Sequence, residues 1–570
     1  MFSASKNQTQ EHSFSTFKRF LEIFLKDEKE DLWILVVYGV AVSICSLVIP
    51  IAVQTFVNTI GFGLLLQPIL ILTFIVFAVL MFSGVMRVLQ IYATEVLQQR
   101  LFAKVAMALA LRIPQIDFSY LSKNKAAYEA TYFLEIATLQ KTATVLILDA
   151  SSVILQVVFG IVLLAFYHPF LLGLNFVILL VIAVFVFGLA RSAIESSIAE
   201  SKSKYSVAYW LHEMAKNSLH FRTPYGRQYA AQYTDELATN YVLKRRKHFK
   251  ILFRQILATI FLQILVSSLL LGVGGWLVVK GQLSLGQLVA SELIVSSVVI
   301  GVGKFGKYLE SFYDLAASLD KIGHLFELPT ERESGETIVK GVQTQRVYQD
   351  VPLLQVRDFQ LTALATSLKN RNTIPFSFEV KPREKLTIVG GDSILRSNLM
   401  KCLYGLDEKY SGTIELDRVD IKYRSIEDLR SKIAYIGKVN LMVGSVLDNF
   451  RFGNEALTLH EIQTVLDELS MSELIRNLPN GLHTSVDDES VSGDRSLTRM
   501  ILLARAVLAK PELLLLDYDF DESDLRKDPL MASFLSKDHD SFALLTHGKD
   551  PQGLSIGGRI FDLPQGREIV

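Results

Sequence analysis

The sequence predicts an α-helical transmembrane domain of six spans, followed by an α/β domain. Half of its 570 residues are hydrophobic and the mean hydropathy is +0.33, which is unusual for a soluble protein of this size. The apolar residues are concentrated before about residue 302. From about Val351 onward, short apolar segments alternate with polar turns and amphipathic segments instead. The 58 basic and 58 acidic residues balance, which excludes a strongly basic nucleic-acid-binding protein.

Six long apolar runs predict the spans. Each is near the roughly 20 residues that a helix needs to cross the hydrocarbon. The alternative is that these runs are buried helices in the core of a soluble protein. Six such runs with few charges would leave that protein with little polar surface. Glu292, in the last run, is a candidate for a functional role or for a carboxylate that faces water or a paired interface. The runs cover about residues 32–55, 64–85, 142–166, 170–190, 253–279 and 285–302.

Basic residues indicate the orientation of these runs. The connections after the first, third and fifth runs are short, and they hold one basic residue, Lys280. The segments after the second and fourth runs are long and basic, so both of them and both termini are expected in the cytoplasm. These segments are predicted to extend as helical hairpins that turn near Pro114 and Pro224. Apolar residues spaced by three and four before residue 26 predict an interfacial helix, although a plain amphipathic surface helix would have the same pattern.

The second half has the pattern of an α/β domain. Apolar segments such as Lys385–Val389 and Ile433–Ile436 are expected to be strands, and most are apolar throughout, as strands buried on both faces are. A polar, mixed stretch separates this half from the spans. We therefore expect an interfacial region at residues 1–31, a six-helix membrane domain at 32–327, a linker at 328–350 and an α/β domain at 351–570.

This order of elements resembles a half-transporter of the type I ATP-binding cassette (ABC) exporter family. The resemblance covers nearly the whole chain and implies a cassette of the phosphate-loop type. It also implies ATP and Mg²⁺ as ligands. Several local stretches carry it: GQLSLGQL at 281–288, SGTIELD at 411–417, IEDLR at 426–430 before IAYI at 433–436, LPNGL at 478–482 and LARA at 503–506.

The expected phosphate loop departs from the pattern G-x-x-x-x-G-K-[ST]. In that pattern glycines let backbone N–H groups close on the phosphates, Lys reaches the β- and γ-phosphates, and Ser or Thr holds Mg²⁺. Here Leu395 stands at the second glycine and Arg396 at the lysine. Leu395 adds bulk where backbone must approach phosphate, and Arg396 lacks the compact ammonium geometry. The segment is Gly390-Gly391-Asp392-Ser393-Ile394-Leu395-Arg396-Ser397.

The resemblance assigns roles to four further positions. Asp517 ends the Walker B strand and is expected to hold Mg²⁺ together with Ser397. Tyr518 stands where the family has the Glu that activates water, and a phenol is a poor general base at neutral pH. Lys438 stands at the Q-loop glutamine, and His547 at the switch histidine.

The signature motif, Leu-Ser-Gly-Gly-Gln in the family, matches this chain poorly. The best match is Val491-Ser492-Gly493-Asp494-Arg495, but the spacing to the following LARA favours residues 493–497. Both registers stay open. In either one, Asp494 would face the triphosphate of an opposing cassette.

The resemblance implies a membrane exporter subunit that moves a lipid, a peptide or a hydrophobic small molecule across the cytoplasmic (inner) membrane. Its partner would be a second copy or another half-transporter with intact motifs, and its surroundings membrane lipid. The departures in both half-sites imply a degenerate nucleotide-binding domain in which hydrolysis is weak or depends on the partner. The alternative is a catalytically inactive assembly or regulatory subunit whose cassette binds a partner instead of hydrolysing ATP.

Overall fold

The computed structural model describes most of the chain in two units. The described residues are 28–62, 66–121, 129–167, 169–332, 351–362, 375–437, 440–520, 526, 528–549, 558–563 and 566–569. The first unit ends at Leu328, and the second begins at Pro329 and also takes in Ile116–Ser122. The predicted interfacial helix, in residues 1–27, lies outside the described residues.

The first unit is helical. Short 3₁₀ segments at Ile113–Gln115 and Ser218–Arg222 end the two long helices that lead into the hairpin turns, where Pro114 and Pro224 predicted them. Thr223 then caps the next helix through Gly226 N–H, with Pro224 in the first turn. The helices are α1 Lys29–Ser46, α2 Val48–Phe62, α3 Leu66–Arg112, α5 Glu135–Thr144, α6 Ser151–Tyr167, α7 Pro169–Lys216, α8 Pro224–Val279, α9 Leu285–Gly303 and α10 Phe305–Glu327, and α4 Phe118–Leu121 belongs to the second unit.

Three helical stretches of the described residues are long and apolar enough to cross a membrane. They are Lys29–Thr59, Gln67–Gln115 and Ala130–Leu164. Shorter apolar helices occur at Ser267–Val279 and Leu285–Ser297. The helical domain is therefore of the transmembrane kind, and the count of six spans stays a prediction.

Buried charge ties three helices of this unit together. Lys321 on α10 donates to Glu135 on α5 across 2.9 Å, and both side chains are about 95% buried. Ser318 donates to the other carboxylate oxygen at 2.9 Å. The Lys321 ammonium also lies 3.4 Å from the centroid of the Tyr205 ring on α7. A buried charge is tolerated when it is paired and hydrogen-bonded in this way.

The second unit is an α/β cassette built on two sheets. One has the strand order β2-β1-β4-β5, with antiparallel pairs. The other has the order β10-β9-β3-β8-β7-β6 and is parallel except for its β9–β10 pair. The strands are β1 Leu354–Leu361, β2 Phe376–Val380, β3 Lys385–Val389, β4 Tyr410–Leu416, β5 Val419–Asp420, β6 Ile433–Ile436, β7 Leu513–Phe520, β8 Ala543–Gly548, β9 Arg559–Asp562 and β10 Arg567–Ile569.

Helices cover the parallel sheet, and the apolar strands are buried as the sequence predicts. All five residues of β3 and all six of β8 are buried. The parallel strands bring their carboxyl ends to one edge, where the candidate site lies. The helices of this unit, after α4, are α11 Ser393–Leu403, α12 Ile426–Lys432, α13 Val446–Arg451, α14 Leu459–Glu468, α15 Ser472–Arg476, α16 Glu489–Ser492, α17 Arg495–Leu508 and α18 Pro529–Ser536.

Candidate nucleotide-binding site

The expected phosphate loop is the turn from β3 into α11. Gly390 and Gly391 both have positive φ angles, +75° and +65°, which glycine adopts without steric cost. Asp392 caps α11, and its carboxylate accepts from Ile394 N–H at 3.2 Å. Ser393 and Ile394 are exposed. The loop thus has the strand–turn–helix context of a phosphate loop. However, the Asp392 carboxylate accepts a hydrogen bond from a backbone N–H group of the helix start, the kind of group that binds phosphate in such loops.

Arg396 bends back onto the loop. Its guanidinium donates from Nη1 to the carbonyl oxygens of Gly390, at 2.6 Å, and Gly391, at 3.0 Å. The residue is only 2% exposed. Leu395 packs toward the same turn: a Cβ placed on Gly391 would lie 3.5 Å from Leu395 Cδ2 and 3.7 Å from Leu563. Of the two residues that depart from the family pattern, Arg396 is therefore hydrogen-bonded to the loop backbone and Leu395 packs beside it.

Asp517 is the centre of the site. It lies where the register between β7 and β8 shifts, after Leu516. The Ser397 hydroxyl donates to its Oδ2 at 2.8 Å, and the Tyr435 hydroxyl donates to the same oxygen at 2.5 Å. His547 Nε2 lies 2.8 Å from Oδ1. Because an ionised carboxylate only accepts, this contact requires the His547 proton on Nε2.

These contacts set the charge state of Asp517. Burial alone would raise the pKa of this carboxyl, but hydrogen bonds from His547, Tyr435 and Ser397 outweigh burial and hold the pKa below its ordinary value. Asp517 is therefore ionised at neutral pH. Burial and the bond to Asp517 both raise the pKa of Tyr435, so its phenol keeps the proton that it donates.

Tyr518 is the residue predicted to stand where the family has the water-activating Glu. Burial raises the pKa of its phenol above the ordinary value of a tyrosine, although the nearby Arg499 acts in the opposite direction. The Arg499 guanidinium lies 5.3 Å from the ring centroid, in a cation–π contact. A neutral phenol under a cation cannot accept a proton from water at physiological pH.

The segment predicted to be the signature motif joins α16 to α17. Ser492 ends α16, and Gly493 packs so tightly that an added Cβ would lie 2.6 Å from the carbonyl oxygen of Glu489. Asp494 is the N-cap of α17 and accepts from Ser496 N–H at 2.8 Å and Leu497 N–H at 3.1 Å. Both sequence registers contain Gly493 and Asp494, so in either one a carboxylate caps the signature helix.

Other sequence assignments have different outcomes. Lys438 lies outside the described residues. Phe359 is fully buried, and its ring centroid lies 5.3 Å from that of Phe376 and 5.4 Å from that of Tyr410. It belongs to the core of the antiparallel sheet.

Sequence reasoning did not single out Tyr435. Its strand was recognised, but its hydroxyl was given no role. The available signal was a hydroxyl-bearing ring in an otherwise apolar strand just before the Q-loop position. In the structure, Gly437 leaves room for this hydroxyl, since a Cβ at residue 437 would lie 2.5 Å from the Tyr435 hydroxyl oxygen.

The donor set fits the two expected ligands unequally. Ser397 and Asp517 offer a hydroxyl and a carboxylate oxygen 2.8 Å apart, the oxygen ligands that Mg²⁺ prefers. The phosphate cradle does not fit in this arrangement, because Arg396 is bonded to the loop carbonyls and Asp392 caps the helix.

Comparisons with known proteins agree with this architecture. Residues 374–518 match the ABC transporter domain family. The uncharacterized ABC transporter ATP-binding protein YfiB of Bacillus subtilis is 28% identical over 49% of this chain and 47% of its own length. The alpha-hemolysin translocation ATP-binding protein HlyB of Escherichia coli is 23% identical over 47% of this chain and 36% of its own. The chain thus spans about half or less of these relatives.

A solved structure shares the fold over almost the whole chain. It is that of a bacterial Atm1-family ABC exporter with ATP bound, with a TM-score of 0.75 over 96% of this chain and 95% of the other, at 16% identity. The chain therefore contains an ABC transporter domain and shares the fold of that exporter, a helical domain of the transmembrane kind followed by an ATP-binding cassette.

Proposed function

We propose that this chain is an exporter subunit of the cytoplasmic membrane whose ATP hydrolysis is weak alone and depends on a partner half-transporter. The observation that carries the proposal is the arrangement around Asp517. Ser397 and His547 converge on its carboxylate, while the adjacent residue is Tyr518, a protonated phenol, in place of a carboxylate base. The chain thus keeps groups suited to Mg²⁺ and lacks the group that would activate water.

The helical domain supports the transport half of this proposal. Its long apolar helices would suit a lipid, a peptide or a hydrophobic small molecule as substrate. The long basic segments and both termini would face the cytoplasm by the positive-inside rule. The partner would be a second copy or, better, a half-transporter with an intact phosphate loop, signature and catalytic Glu, because each ATP in this family lies between two cassettes.

A second candidate function rests on a different observation. Arg396 is bonded to the loop carbonyls, and Asp392 and Asp494 cap the two helices that would face phosphate. If these contacts persist in the assembled protein, the cassette is a structural or regulatory module that does not bind ATP.

ATP binding and turnover by the purified chain in lipid nanodiscs test both. We expect turnover close to that of Ser397→Ala when the chain is alone, and Mg²⁺-dependent turnover when it is paired with an intact half-transporter. Tyr518→Phe should behave as the parent chain because the phenol is not a base. Fast turnover by the chain alone that Ser397→Ala abolishes would overturn the proposal. Neither binding nor turnover in any pairing would establish the second candidate.

A further inference from the structure

Tyr435 has a second contact, made by its ring and not by its hydroxyl. Its hydroxyl is fixed on Asp517 Oδ2 at 2.5 Å. Its ring stacks on Tyr404, at the end of α11, with centroids 5.2 Å apart and an angle of 22° between the planes. The ring orientation is therefore determined at both ends, by a charged hydrogen bond and by a neighbouring aromatic face.

Tyr404 in turn supports Arg430. The guanidinium carbon of Arg430, on α12, lies 5.1 Å from the centroid of the Tyr404 ring. Arg430 then forms a two-point ion pair with Glu331, with N–O distances of 2.7 and 2.9 Å. The Arg430 and Glu331 side chains are 23% and 16% exposed, so water screens this pair only partly.

Glu331 belongs to residues 329–332, the described part of the predicted linker that lies in the second unit. Next to it, Arg332 donates to the carbonyl oxygens of Ile421 and Arg424, both at 2.9 Å. Residues 329–332 also contact Ile116 and Asp117, which follow α3 and its 3₁₀ turn. Thr330 forms a β-bridge with Ile116, and Asp117 N–H donates to Pro329 O at 2.9 Å.

We propose that Tyr435 is a positioning residue that links Asp517 to the linker segment 329–332 through Tyr404, Arg430 and Glu331. Each step is a direct contact within the second unit. The hydroxyl of Tyr435 can stay on Asp517 Oδ2 only while no other group takes its place on that oxygen. Ser397 shares that oxygen with Tyr435, so a group that displaces the Tyr435 hydroxyl in particular would free one end of the ring, and the change would reach the segment that also holds Ile116 and Asp117.

The chain offers a matched control for the loss of one tyrosine hydroxyl. Tyr410 is likewise buried in the cassette, at 6% exposed, and among the described residues its hydroxyl has no hydrogen-bond partner. Tyr410→Phe therefore removes a buried hydroxyl without removing a hydrogen bond of the proposed link. Tyr435→Phe removes the bond to Asp517 and keeps the ring.

Hydrogen exchange measured by mass spectrometry on the full chain in nanodiscs, without nucleotide, tests the link. We expect Tyr435→Phe to speed amide exchange in peptides covering 116–121 and 329–332 by roughly three- to tenfold, the equivalent of one buried hydrogen bond, and Tyr410→Phe to leave them unchanged. Exchange that rises only beside residues 435 and 517, or equally in Tyr410→Phe, would overturn the proposal.

The reverse experiment keeps the proposal falsifiable if Tyr435→Phe folds poorly. Coupling between two sites is reciprocal, so Glu331→Gln should speed exchange in the peptides around Tyr435 and Asp517. Unchanged exchange there would contradict the link. Because neither experiment uses ATP, the link can fail while the proposed export function stands, and it can hold in a cassette that never turns over ATP.

Discussion

At the residue scale, Arg396 shows why a change that keeps the charge can still alter a phosphate loop. A lysine at this position reaches a phosphate with a compact ammonium group on a flexible stem. The planar guanidinium of Arg396 instead reaches the carbonyl oxygens of Gly390 and Gly391 in its own loop. Leu395 packs beside the same turn. The guanidinium that stands at the phosphate-binding position is thus hydrogen-bonded to the loop itself.

This arrangement predicts the effect of restoring the family residues. The double variant Leu395→Gly with Arg396→Lys should bind a fluorescent ATP analogue about tenfold more tightly than the parent chain, which corresponds to about 1.4 kcal/mol. The glycine lets backbone N–H groups approach phosphate, and the lysine no longer spans the two carbonyls. Equilibrium fluorescence titration in Mg²⁺ measures the change.

The control is a matched Arg-to-Lys change elsewhere in the cassette. Arg383, in the turn between β2 and β3, has no part in the candidate site, so Arg383→Lys should leave the affinity unchanged. If the double variant binds no better than this control, the placement of the phosphate loop at residues 390–397 is wrong.

At the element scale, the residue that stabilises the start of α17 also adds a negative charge there. Asp494 accepts from two N–H groups of the first turn, an N-cap that typically stabilises a helix by about 1 kcal/mol. The same carboxylate places negative charge at a helix end where the family binds an anion. The cassette therefore has a well-capped helix whose cap carries a negative charge.

Two substitutions separate these effects. Asp494→Ala should lower the free energy of unfolding of the cassette by about 1 kcal/mol because the cap is lost, whereas Asp494→Ser should lose only a few tenths because a serine hydroxyl also caps. Chemical denaturation followed by fluorescence compares them. Equal losses in the two variants would show that the hydrogen bonds from Ser496 and Leu497 are not what Asp494 contributes.

The elements were more predictable than the contacts between them. Strands β3 and β6 could be read from the sequence because both are apolar runs, of the kind needed where a strand is buried on both faces, as β3 is. The hydrogen bond from Tyr435 to Asp517 could not be predicted from the sequence, because it depends on side chains from two neighbouring strands meeting at one edge of the sheet. The self-capping of α11 and α17 was also missed, although Asp before a helix is a recognisable start signal.

At the scale of the whole molecule, composition predicted the division of the chain better than the number of its spans. The change from long apolar runs to short alternating segments correctly indicated a helical domain followed by an α/β cassette. The prediction of six spans rests on hydrophobicity alone. Among the described residues, three helical stretches are long and apolar enough to cross a membrane. The second unit also contains its own buried core.

Cys402 offers a direct probe of that core. Its thiol is fully buried among apolar side chains of the cassette, and burial raises its pKa to about 12, so the reactive thiolate is scarce at neutral pH. With Cys45→Ala leaving this single thiol, the native chain in nanodiscs should react with a maleimide at least about a hundredfold more slowly than the denatured chain. Labelling should begin at the urea concentration that unfolds the cassette, while much of the helical circular dichroism of the membrane domain persists. Rapid labelling without urea would mean that the cassette core opens readily in the native protein, and Cys402→Ser, which should abolish labelling, confirms the reacting group.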